Sequence, residues 1–90
     1  MMRDVVYLPA LKKDQTRMIR RGKNIQKFID AVTFLAREGA LPSRYDAHKL
    51  HGEYIGSWEC HLESDWLLVY TLTPETVVIS RTGTHTDIFE

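Results

Sequence analysis

Ninety residues weighing 10.5 kDa make one domain, because two halves of about 45 residues would each need disulfides or metal to hold together. Hydrophobic residues at 43% and charged residues at 27% describe a globular chain with one modest core, and no run approaches the roughly 18 apolar residues of a membrane span. Formal charge is zero, yet residues 1–49 carry a net +6 and residues 50–90 a net −6, so a basic surface is expected from the first half. The opening residues lack the apolar stretch of a signal peptide. The single Cys60 excludes an internal disulfide, and the expected compartment is a reducing cytoplasm.

Arg3 to Tyr7 is short and β-leaning, and Pro9 stops it while suiting the first turn of a helix. Leu8, Leu11, Gln15, Met18 and Ile19 then fall near helical spacing, with Gln15 the polar break. Lys12, Lys13, Arg17, Arg20 and Arg21 take the outer surface, and Gly22 ends the helix. Asn24 is placed to cap a second helix with the stripe Ile25, Phe28, Ile29, Val32, Leu35 and Ala36, which Gly39 ends. The period then changes. Ser57 to Leu62 alternates, with Trp58, Cys60 and Leu62 on one face and Glu59 and His61 on the other. Trp66 to Leu72 is apolar on both faces, as a central strand is, and Thr76 to Arg81 follows a turn at Thr73-Pro74-Glu75. The expected order is β-α-α-β-β-β: an α+β domain, 1–90, with a four-stranded antiparallel sheet and an α-hairpin packed on one face.

Several polar residues are not explained by this fold. His61 and Asp65 share one end of the meander, and Arg81 ends a strand parallel to the first, so it reaches that same end; His85 follows Gly83. Histidine titrates near neutral pH and serves as acid or base, and a guanidinium neutralises charge on a transferring phosphoryl group. There is no serine elbow and no glycine-rich phosphate loop. Cys60 alternates onto the apolar face, and the spacing of His48, His61, Asp65 and His85 matches no common zinc pattern. A metal-free set of acid, base and arginine suits cleavage of RNA through its own 2′-hydroxyl. Trp66 and Phe89 are candidates for stacking on bases, although a tryptophan that opens an apolar strand is more often core. The basic helices either follow phosphates or are solvated faces.

Read together, His48-x-Leu50-x-Gly52, Trp58-Glu59-x-His61, Asp65-Trp66-x-Leu68-x-Tyr70, Arg81-Thr82-Gly83-Thr84-His85 and Phe89 closely resemble the YafQ branch of the RelE/ParE toxin superfamily. The resemblance implies a RelE-like fold and a toxin of a type II toxin–antitoxin pair that cuts messenger RNA on translating ribosomes without metal or cofactor. It also implies a cognate antitoxin, a hetero-oligomeric complex with it and a monomeric free toxin. Carried over by motif position, the catalytic set is His48, His61, Asp65, Arg81 and His85. Phe89 supports the site, with Trp66 at a further matched position; His51 lies outside the pattern. Two other classes share the fold: a ParE-like gyrase poison, which has no need of the acid–base set, and a catalytically inactive module that represses transcription with its antitoxin.

Overall fold

In a computed structural model, described for residues 2–90, the elements run β1 (Asp4–Tyr7), α1 (Pro9–Arg20), α2 (Ile25–Glu38), β2 (His48–Lys49), β3 (Trp58–Glu63), β4 (Trp66–Leu72), β5 (Thr76–Gly83) and α3 (His85–Phe89). Short 3-10 turns at Ser43–Tyr45 and Gly52–Tyr54 flank β2. The Asn24 side chain accepts from the Gln26 N–H at the start of α2, as expected of a cap. Gly39 closes that helix in the left-handed region at φ 66°, its N–H returning to the Leu35 carbonyl.

The class is α+β, as expected, but the sheet has five strands in the order β1-β5-β4-β3-β2 and is mixed. Strands β2 to β5 pair antiparallel, whereas β1 lies parallel to β5. Two causes account for the difference from four antiparallel strands. Alternation locates a strand but does not name its partner, and the helices that follow β1 carry the chain across the sheet, which permits a parallel neighbour. The extra strand has only two residues, too few to show any period.

Helices α1 and α2 cover one face of the sheet. Leu11, Met18, Phe28, Ala31, Val32 and Leu35 pack there against Cys60, Leu62, Trp66, Leu68, Tyr70, Val77 and Ile79. Ile29 and Ile19, expected in the helical stripes, are exposed, while Ala31 and Asp14 are buried in their place. The opposite face carries a smaller cluster of Leu67, Val69 and Ile88 with Leu50 and Tyr54. Strand β4 is therefore apolar on both sides because α3 and the segment before β3 cover its second face.

Trp66 has no exposed surface, and its indole Nε1 donates to Thr82 Oγ1 at 2.8 Å. Stacking of Trp66 on a base is thereby corrected: the ring is core that pins β4 to β5. Cys60 is equally inaccessible, and burial, then the neighbouring Glu59 charge, pushes its thiol up to about 12. Because the folded value exceeds the unfolded one, stability from this group is complete below the ordinary thiol pKa and declines as pH rises toward the folded value. In the native protein Cys60 is expected to stay unmodified by a thiol reagent at pH 8 and to react at once in denaturant. Labelling of the native chain at the denatured rate would contradict its burial.

Candidate active site

Residues opposite one another on antiparallel strands share a face. One row across the sheet is His48, Glu59, Val69 and Arg81; the next is His61, Leu67 and Gly83. Both rows lie on the face away from α1 and α2, where Leu67 and Val69 meet α3.

Arg81 reaches that face through a local irregularity. Val69 pairs with Arg81 but Tyr70 pairs with Ile79, so Ser80 is an extra residue on β5. In an unbroken strand Val77, Ile79 and Arg81 would all point into the helical core. The bulge turns Arg81 to the other face and returns Thr82 to the core, a common use of a bulge beside a site.

The three matched histidines form a chain. Ring centroids are 6.2 Å apart for His48 and His61 and 6.4 Å for His61 and His85. His85 opens α3, which Thr84 and Asp87 cap reciprocally. Its Nδ1 and its backbone N–H both lie near Asp65 Oδ1, at 3.3 and 3.2 Å. An ionised carboxylate only accepts, so Nδ1 carries hydrogen and Nε2 is left for chemistry. His61 repeats the pattern, with Nδ1 3.3 Å from the Ser64 carbonyl. His48 differs: Nδ1 faces the Asp46 carbonyl at 3.0 Å, and Nε2 faces Glu59 Oε1 at 2.7 Å. Both ring nitrogens of His48 thus face an acceptor oxygen. The second oxygen, Glu59 Oε2, is buried and has no hydrogen-bond partner among the described residues. Phe89 lies 6.0 Å from His85 and meets Tyr54 edge-on, which supports α3 and leaves the ring part-exposed.

Arg81 donates through Nε and Nη2 to the Asp14 carboxylate at 2.6 and 3.1 Å, and Nη2 also reaches the Asp87 carbonyl at 3.3 Å. The hydrogen bond to Asp14 is the main reason its pKa rises above the ordinary arginine value. The paired Nε–Nη2 edge of Arg81 is therefore already taken, and Nη1 is the end not bonded to Asp14.

The basic residues on α1 and at its C-terminal cap divide. Arg17 pairs with Asp14, and Arg21 forms a fork to Asp87 at 2.6 and 3.1 Å. Arg21 holds the Asp87 carboxyl well below the usual carboxylate range. Arg21, with Arg17 4.0 Å from the same carboxylate, ties the end of α1 to α3, so these two guanidiniums are engaged within the fold. Lys12, Lys13 and Arg20 line an open groove with Thr16 and make no ion pair among the described residues.

Sequence reasoning passed over Asp14 and gave Glu59 no role. Asp14 stands three residues after Leu11 and four before Met18, which is a buried helical position, and Glu59 alternates with His61. Metal ligand types also meet here: Asp46, His48 and His61 each offer an atom within 4.8 Å of the others.

Comparison with known proteins places this mixed sheet, with helices on one face and a histidine–carboxylate–arginine row on the other, among small toxins of toxin–antitoxin systems. The chain belongs to the YafQ family, whose model, described as a bacterial toxin of a type II toxin–antitoxin system, matches residues 3–90. It is 35% identical to the mRNA interferase toxin YafQ of Escherichia coli K12 over 97% of this chain and 96% of that one. It resembles YafQ in the crystal structure of the E. coli DinJ–YafQ toxin–antitoxin complex, with a TM-score of 0.90 and 34% identity over the whole of both chains. A metal-bound toxin from Helicobacter pylori is also similar, with a TM-score of 0.88 and 30% identity over 99% of this chain and 100% of that one.

Proposed function

We propose that the protein is a ribosome-dependent endoribonuclease that cuts messenger RNA in the cytoplasm, inhibits translation and is restrained by a cognate antitoxin. One observation carries the reading: His48, His61, His85 with Asp65, and Arg81 share the sheet face opposite the helical core. In the proposed reaction one imidazole takes the proton from a 2′-hydroxyl, whose oxygen attacks the adjacent phosphorus. A second imidazole protonates the departing 5′-oxygen. Arg81 Nη1 faces the phosphorane oxygens, and Asp65 keeps His85 oriented with Nε2 outward. Phe89 closes the site beside His85. Lys12, Lys13 and Arg20 extend the positive surface available to ribosomal RNA. The E. coli relative in complex with DinJ supports an antitoxin partner of the same kind, and the free toxin is proposed to be a monomer.

Two imidazoles and a carboxylate at Asp46, His48 and His61 can accept a transition metal. An ion there would be held by imidazole nitrogens, which lowers their capacity to exchange protons. Cleavage is therefore expected to survive a chelator, with the magnesium need of the ribosome met separately, and to fall when zinc is added. Loss of cleavage on chelation, restored by a transition metal, would contradict the metal-free reading.

The functional test is a translating extract given one messenger with and one without a start codon. Cleavage of the translated messenger alone is the expected result. No cleavage, with arrest of DNA gyrase instead, would replace the reading by that of a gyrase poison.

A further inference from the structure

Strand β1 covers the outer edge of β5 only as far as Ile79. Beyond that point the edge N–H groups of β5 need another partner. Helix α1 supplies one, with Asp14 Oδ2 accepting from the Thr82 N–H at 3.2 Å. The same carboxylate accepts from Arg81 Nε and Nη2 and from Arg17 Nη1 at 3.2 Å. It is 1% exposed. Four donors from two elements thus converge on one buried acceptor.

We infer that Asp14 is a positioning residue for the cleavage reaction, fixing the Arg81 guanidinium so that Nη1 meets the phosphate. This rests on the proposed role of Arg81. A guanidinium on four rotatable bonds is otherwise mobile, and two parallel bonds to one carboxylate set both its plane and its rotation. Bound to the backbone of the neighbouring Thr82 as well, Asp14 cannot shift without moving β5. The bulge at Ser80 aims Arg81 at the site face, and Asp14 sets which nitrogen it presents there.

The test is a double-mutant cycle of Asp14→Asn, Arg81→Ala and the pair, read by single-turnover cleavage and ribosome binding. Asparagine keeps the shape, but its amide nitrogen faces donors and one arm of the fork is lost. Asp14→Asn is expected to slow cleavage by about 10²-fold, the effect of a small misplacement, with ribosome binding little changed. In the Arg81→Ala background the same substitution should do almost nothing more. Losses that multiply would make Asp14 a structural residue and overturn the inference while leaving Arg81 in the mechanism. Parent-like cleavage by Arg81→Ala would overturn both. Proton exchange at Arg81 Nε in the parent toxin decides the case even if Asp14→Asn fails to fold: slow exchange is expected, and exchange at the rate of free arginine would refute the fork.

Discussion

Replacing His85 with alanine is expected to lower messenger cleavage by about 10²–10⁴-fold, the usual worth of a general acid or base, and to leave the fold in place. The side chain is more than half exposed and contributes nothing to either apolar cluster. Helix α3 is held without it, by the Thr84–Asp87 capping box, by Ile88 in the smaller cluster and by the Arg21–Asp87 fork. Asp65→Asn should cost less, because the amide oxygen still accepts from His85 Nδ1 while the charge that favours an imidazolium is gone. Melting curves alongside single-turnover rates check both statements. A folded His85→Ala protein that cleaves like its parent would remove His85 from the reaction.

Arg81→Lys carries the second large effect and, unlike the first, a cost in stability. Loss of a positioned donor at a developing anion slows comparable reactions by about 10²–10³-fold, and the same range is expected here. The ammonium has no planar fork, so it cannot bond both Asp14 oxygens and also point at the site. A buried carboxylate left short of donors costs about 1–3 kcal/mol, which should appear as a lower melting temperature. Ribosome binding should fall less than turnover. A lysine variant with parental rate and stability would make both functions of Arg81 untenable.

Much of this molecule was legible in its sequence. The alternation of Trp58 to Leu62 and the doubly apolar Trp66 to Leu72 gave the central strands, and Asn24 and Gly39 marked both ends of α2. The histidines and Asp65 were legible because strand ends and turns were the places where polar residues had no packing role. What escaped depends on long-range contacts. The parallel seating of β1 is decided by where the helices carry the chain. The residue opposite Tyr70 is set by one extra amino acid, Ser80, which leaves no compositional mark. Asp14 was hidden by the assumption that a buried helical position is apolar, whereas here it finishes the edge of a strand. Helix α3 did leave a signal, Thr84 three residues before Asp87, which is a capping pattern. Trp66 was legible only as two alternatives, a ring stacked on a base or a core residue opening an apolar strand, and complete burial with a bonded indole nitrogen leaves the core.

In the proposed reaction this sheet face transfers protons between two oxygens of one RNA strand. End-group analysis of the cut messenger tests it most directly. Attack by the neighbouring 2′-hydroxyl leaves a 2′,3′-cyclic phosphate on the upstream fragment, or the 3′-phosphate it hydrolyses to, and a 5′-hydroxyl on the downstream one. That is the result expected from the parent toxin on translating ribosomes in the presence of chelated transition metal. A 3′-hydroxyl paired with a 5′-phosphate would mean that water attacked the phosphorus, and would contradict the account.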